Sequence, residues 1–236
     1  LPDITIAAPK HTLAAYLSIP GGQGPWPGIV VLHDILGQTA DSRRHTDHLA
    51  AHGYIALAPD LYSRGLKPIC IQATIRSMIA RTGPAFDDIE AARATLATRP
   101  DCTGTIGVIG FCMGGGFALL LAGSNKGFAA ASVNYGQVPK DAETLLQTAC
   151  PIIGSFGARD RSLKGAAARL ETALLHNGID HDIREYPDAA HSFLDQHGGL
   201  GGWIMGRIGF GYHAAAAADA EARILAFFDR HLHRGS

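Results

Sequence analysis

Gly110-Phe111-Cys112-Met113-Gly114-Gly115 is the passage that most restricts how this 236-residue chain can fold. It is entered from the apolar stretch Thr105–Ile109 and leaves into Gly116-Phe117-Ala118-Leu119-Leu120-Leu121-Ala122, so a strand must turn abruptly into a helix with one cysteine at the turn. A reversal this tight needs a backbone without Cβ atoms to clash at either flank, and it requires the helix to lie close on a sheet. Such a turn exposes its central side chain. Here that side chain is a thiol, a stronger nucleophile than a hydroxyl once a nearby base or charge makes it a thiolate.

A nucleophile acts only with a base and a group that orients the base. Cys150-Pro151-Ile152-Ile153-Gly154-Ser155-Phe156-Gly157 reads as a buried strand ending in Ala158-Arg159-Asp160, which puts an acid just past a strand's carboxyl end. Ile183-Arg184-Glu185-Tyr186-Pro187 is a short alternating strand, followed by the loop Asp188-Ala189-Ala190-His191-Ser192-Phe193 with its histidine. Nucleophile, acid, histidine is the chain order of the α/β-hydrolase scaffold. Each interval leaves room for one or two strand–helix units of ~30 residues, so the three side chains can meet on one edge of a sheet.

The rest of the chain alternates accordingly. Ile4–Ala8 and Thr12–Ile19 read as an opening hairpin, Gly28–Leu32 as the first buried strand and Tyr54–Ala58 as another. Asp41 or Ser42 can cap a helix that Gly53 ends, and Gly65–Gly83 reads as an irregular excursion with a short helix. Pro84 starts a helix with Phe86, Ile89, Ala92, Arg93 and Leu96 at helical spacing. Strands at Ala129–Val133, Ile152–Phe156 and Ile183–Tyr186, a helix over Leu163–Asn177 and a last helix from near His213 complete the series. The expected fold is one α/β domain over residues 1–236, with helices on both faces of a mostly parallel sheet.

A 47% hydrophobic content suffices for a large core, and a formal net charge of −1 without a basic stripe argues against nucleic acid or an anionic membrane as partner. No run of ~18 apolar residues suggests a transmembrane helix. Cys70, Cys102, Cys112 and Cys150 form no CxxC pair, and their scatter reads as reduced thiols in a cytoplasm. His48 and His52 have helical spacing, but no third ligand completes a metal site.

Pro59-Asp60-Leu61-Tyr62, the Cys112 passage, Asn134-Tyr135-Gly136, Gly157-Ala158-Arg159-Asp160 and Ala190-His191-Ser192-Phe193 together resemble the dienelactone hydrolase family, the thiol branch of the α/β-hydrolases, over nearly the whole length. The resemblance implies Cys112 as nucleophile, His191 as base and Asp160 as its orienter, acting on a small ester or lactone without cofactor or metal, in a monomer or small homo-oligomer. It implies that the backbone N–H groups of Met113 and Ile35 hold the oxyanion, with His33 shaping the Ile35 loop. Asp34 stands where the family has a thiol-activating glutamate. Asp195 stands where the dienelactone enzymes have a carboxylate-binding arginine, and Arg76 and Arg81 are candidates to replace it. Tyr135 and Trp203 either line the pocket or pack in the core. The glycine-laced segment Gly198–Tyr212 is either a flap over the site or a surface loop. The runner-up activities are a broad carboxylesterase or thioesterase, and a ligand-binding protein without turnover.

Overall fold

The computed structural model describes residues 3–124, 127–196 and 211–233. Among them are eight strands: β1 (Asp3–Ala8), β2 (His11–Ser18), β3 (Trp26–Leu32), β4 (Ile55–Pro59), β5 (Cys102–Phe111), β6 (Ala130–Asn134), β7 (Ile152–Gly157) and β8 (His181–Tyr186). They form one sheet in the order β1-β2-β4-β3-β5-β6-β7-β8. The hairpin β1–β2 and the pair β2–β4 are antiparallel, whereas β3–β4, β6–β7 and β7–β8 are parallel. The helices are α1 (Ala40–Ala51), α2 (Lys67–Ala80), α3 (Pro84–Ala97), α4 (Met113–Gly123), α5 (Ala142–Leu145), α6 (Ala166–Asn177) and α7 (Ala214–Leu232). The chain divides into two compact units, Leu1–Val108 with Leu232–Ser236, and Ile109–His231.

In the first unit, Ile29, Val30, Val31 and Leu32 of β3 are all fully buried, as are Ile55, Ala56 and Leu57 of β4. Runs buried on both faces show no alternation, which is what a covered parallel sheet requires. The hairpin alternates instead and pairs its buried residues Ile6 and Leu13 directly. Phe86, Ile89, Ala92 and Leu96 of α3 are buried as their spacing predicts. Arg93 turns outward and bonds Glu90 at 2.6 Å.

Three local expectations are corrected. The N-cap of α1 is Thr39, not Asp41 or Ser42. Ser42 sits at the third helical position, where its Oγ accepts the Thr39 N–H at 2.9 Å. The excursion after Gly65 holds a full 14-residue helix, α2. The helix expected from Leu163 is split: Arg161–Leu163 is a 3₁₀ turn, Gly165 takes φ +74°, and α6 starts at Ala166. A left-handed glycine cannot continue a right-handed helix.

In the second unit, β6 and β7 are buried throughout, and every residue from Met113 to Ala122 of α4 is buried. A helix apolar on all sides belongs in a core. At the other extreme, β8 is largely half-exposed, as an edge strand can be.

Candidate active site

The turn between β5 and α4 is held by close backbone approaches. Cys112 has φ +52° and ψ −114°, and its N–H donates to the Asn134 carbonyl at 3.0 Å. A Cβ on Gly110 would lie 2.0 Å from the Gly114 carbonyl oxygen, and one on Gly115 would lie 2.6 Å from that of Asn134. A Cβ on Gly136 would lie 2.4 Å from the Gly115 carbonyl carbon. These glycines let α4 start directly against the end of β6, and the cysteine is left at the apex in a conformation that costs about 1–3 kcal/mol for a residue with a side chain.

Asp160 follows β7 and caps the 3₁₀ turn. Its Oδ1 accepts the Ser162 N–H at 2.9 Å and the Ser162 hydroxyl at 2.6 Å, while its Oδ2 lies 2.5 Å from His191 Nδ1. The loop that carries His191 is fastened to the same turn through its main chain. Arg159 N–H donates to the Ala189 carbonyl at 3.0 Å, Ala158 N–H donates to that of Tyr186 at 2.9 Å, and a Cβ on Gly157 would lie 2.6 Å from the Ala189 oxygen.

The His191 side chain also hydrogen-bonds Cys112. Burial disfavours the imidazolium, but the bonds to Asp160 and to Cys112, with their charges, outweigh it and lift the His191 pKa to about 9. For Asp160, burial again opposes the charged form. The donors from His191 and Ser162 overcome it and hold the carboxyl below its ordinary value. Cys112, Cys102 and Cys150 are all half-buried. Burial pushes the Cys150 thiol up to about 12 and also raises that of Cys102. Cys70 is buried in α2.

Tyr135 and Asp195 pack behind the histidine. The Tyr135 hydroxyl donates to Asp195 Oδ2 at 2.7 Å, and its ring meets the His191 ring edge-on with centroids 5.2 Å apart. Both residues are buried, so Tyr135 belongs to the core and Asp195 is folded inward onto it. Tyr135 has φ +39° and Ser192 φ +60°, so with Cys112 three of the four described non-glycine residues of positive φ lie in or beside this cluster. Backbone strain concentrates where a structure must hold an unfavourable geometry.

The structure thus brings Cys112, Asp160, His191 and Tyr135 together within the second unit. Asp34, Ile35, Arg76 and Arg81 belong to the first. There, Asp34 Oδ1 accepts the Leu36 N–H at 2.8 Å, the Tyr62 hydroxyl donates to the Ile35 carbonyl at 3.1 Å, and Lys67 Nζ donates to that of Leu36 at 2.9 Å. Arg76 is an exposed residue of α2, and Arg81 is its left-handed C-cap, with φ +56°. Trp203 and residues 198–210 of the glycine-laced segment lie outside the described residues. The sequence reading missed Ser162 and the Tyr135–Asp195 pair. Asp160-Arg161-Ser162 is a cap pattern that could have flagged the first, whereas the second joins residues 60 positions apart.

Residues 13–232 match the model of a family described as the dienelactone hydrolase family. A protein of Synechocystis sp. is 32% identical over 250 residues, covering 97% of this chain and 96% of its own. The carboxymethylenebutenolidase of Pseudomonas putida is 28% identical over 228 residues, covering 92% of this chain and 91% of its own. Among solved structures, a dienelactone hydrolase-like promiscuous phosphotriesterase from metagenomic libraries superposes with a TM-score of 0.80 at 21% identity, covering 97% of each chain. Among the described residues, no helix is long and apolar enough to cross a membrane.

Proposed function

Since the chain belongs to the dienelactone hydrolase family and is a carboxylic ester hydrolase of the α/β-hydrolase fold, we propose that it cleaves a small ester or lactone through Cys112, with His191 as base and Asp160 as its orienter. One observation carries this reading: His191 bonds Cys112 on one side and Asp160 on the other. That is the nucleophile–base–orienter chain that acyl transfer needs.

The chemistry runs in two halves. His191 takes the Cys112 proton, and the thiolate attacks the substrate carbonyl carbon. Negative charge moves to the carbonyl oxygen, where the Met113 N–H at the start of α4 is the proposed donor. The tetrahedral species collapses with the ester C–O bond breaking, and the leaving oxygen takes a proton from the His191 imidazolium. Water, giving its proton to His191, then attacks the thioester, and the acid leaves as the thiolate is restored. Asp160 remains ionised, fixing the tautomer with the proton on Nδ1 and stabilising the imidazolium. The histidine is the principal thiol activator in this reading. Four scattered cysteines without a disulfide framework fit a reducing compartment, and the cytoplasm is the proposed one.

A second reading, a broader carboxylesterase or thioesterase, is favoured by Asp195. A buried carboxylate accepting from Tyr135 offers nothing to bind an anionic acyl group. The two are separated by intact-mass spectrometry after brief exposure to a dienelactone, an aryl ester and a thioester. Acylation confined to Cys112, absent in Cys112→Ala, supports the nucleophile, and the panel member turned over names the substrate class. Binding without adduct or product in the wild type overturns the catalytic reading.

A further inference from the structure

Asn134 ends β6 with a fully buried amide that is bonded at one end and bare at the other. Its Nδ2 donates to the Gly110 carbonyl at 3.2 Å and to Ser132 Oγ at 3.1 Å. Among the described residues its Oδ1 meets no hydrogen-bond partner, and neither does Ser155 Oγ, which stands opposite Asn134 in the β6–β7 register. The amide cannot be turned over, because the Gly110 carbonyl accepts only from a donor. A buried amide oxygen without a partner costs stability, and a leucine of similar outline would be cheaper to enclose. Core packing alone therefore does not account for an asparagine here. What the side chain contributes is its donor end, and that end reaches the strand leading to Cys112.

The same residue holds the turn at a second point. Its main-chain carbonyl accepts the Cys112 N–H at 3.0 Å, so Asn134 grips Gly110 with its side chain and Cys112 with its backbone. Beyond the apex, the Cys112 carbonyl accepts the Gly116 N–H at 3.1 Å. At φ +52° and ψ −114° Cys112 lies outside the favoured backbone regions, a conformation that persists only where the surroundings over-determine it. Gly110 is the loosest link in that hold, because it has no Cβ to restrict its own torsions. A donor on its carbonyl fixes the peptide that joins it to Phe111, and with it the direction from which the chain enters the turn. All of these atoms lie within the second unit. We propose that Asn134 is a positioning residue for acyl transfer: its amide clasps the Gly110 carbonyl and so fixes where the Cys112 thiol stands relative to the bound ester carbonyl. This rests on the reading of Cys112 as the nucleophile.

Two reactions of the same thiol separate its position from its reactivity. Acetylation by 4-nitrophenyl acetate needs the sulfur aligned with a bound carbonyl, whereas alkylation by iodoacetamide needs only an accessible thiolate. Both are followed by intact mass and peptide mapping in wild type, Asn134→Leu and Ser132→Ala. Asn134→Leu, which keeps the size and loses the donor, should acetylate ~10- to 100-fold more slowly, the cost of displacing a reacting atom by about 1 Å. Its alkylation should stay within ~3-fold of wild type with the same pH midpoint, since the groups that set the thiolate are untouched. Ser132→Ala removes the other acceptor of the amide, leaves the Gly110 bond, and should stay within ~3-fold of wild type in both reactions. Acetylation of Asn134→Leu at the wild-type rate overturns the proposal. So does a parallel fall in alkylation, the mark of a lost thiolate or a loosened fold, and so does an equal loss in Ser132→Ala, the mark of a polar network that serves only the core. If Asn134→Leu does not fold, Asn134→Ser, whose hydroxyl falls short of the Gly110 carbonyl, is judged by the same two rates. Alkylation without any acetyl group on Cys112 of the wild type overturns the underlying catalytic reading, and this proposal with it.

Discussion

Asp160 presents only Oδ2 to His191, at 2.5 Å, because Ser162 holds its Oδ1 with two donors. The carboxylate has one orientation relative to the imidazole. Asp160→Asn keeps the shape and removes the charge, and the expected loss in kcat is on the order of 10⁴-fold, as for the wrong tautomer in a hydrolytic triad. Ser162→Ala removes the hydroxyl donor to Oδ1, leaves the main-chain donor and the charge in place, and should cost only ~5- to 30-fold, or about 1–2 kcal/mol, one hydroxyl bond to a charged group. Steady-state kinetics on one ester measures both. Equal losses would contradict the separate roles.

The His191 pKa of about 9 exceeds the ordinary 6.5, so this group's contribution to stability is complete below about 6.5 and fades as pH rises through about 9. Its ceiling is about 3 kcal/mol. Denaturant midpoints taken from about pH 6 to pH 10 should fall across that window. Asp160→Asn and Cys112→Ala should each flatten the fall, because each removes a partner that favours the imidazolium. A profile identical in all three proteins would exclude the linkage.

Gly110→Ala places a methyl group 2.0 Å from the Gly114 carbonyl oxygen, between two stretches of main chain that cannot yield. A loss of about 3 kcal/mol or more is expected, at or above the upper end for overpacking. Gly165→Ala meets nothing within 4 Å and strains only φ, at +74°, so about 1 kcal/mol is expected. Thermal unfolding of the two variants ranks them, and the reverse order would contradict the packing of the turn.

Tyr135→Phe removes a donor from a buried carboxylate, and about 1.5–3 kcal/mol of stability should be lost. Asp195→Asn leaves an oxygen acceptor for the same hydroxyl and should cost less. Chemical denaturation tests the difference, and matched neutral and carboxylate-bearing esters test whether Asp195→Asn relaxes discrimination against the anionic one.

The Cys112 turn was legible because its glycines answer a steric requirement that acts over a few residues. Asp160 and His191 were legible as polar residues just past apolar runs, in a chain order that topology can bring to one edge. The Asn134-Tyr135-Gly136 passage stood out as a motif, yet its reason is tertiary: Gly136 is a glycine because Gly115 backs against it. Ser162 and the Tyr135–Asp195 bond depend on which loops meet, and no local period encodes that. The break at Gly165 was missed because helical spacing continues through it, while a single left-handed residue interrupts the backbone.

The stitching of Arg159 and Ala158 to the main chain of Ala189 and Tyr186 has a mechanical consequence. Acid and base form a single rigid jaw, and the cysteine stands on a separate one whose stiffness comes from α4 lying against β6. Strain transmitted through the core can change the gap between the jaws without altering the bond within the first. Variants that slow attack yet leave the Asp160–His191 pair intact are therefore to be sought beneath α4, among side chains that touch none of the three reacting groups.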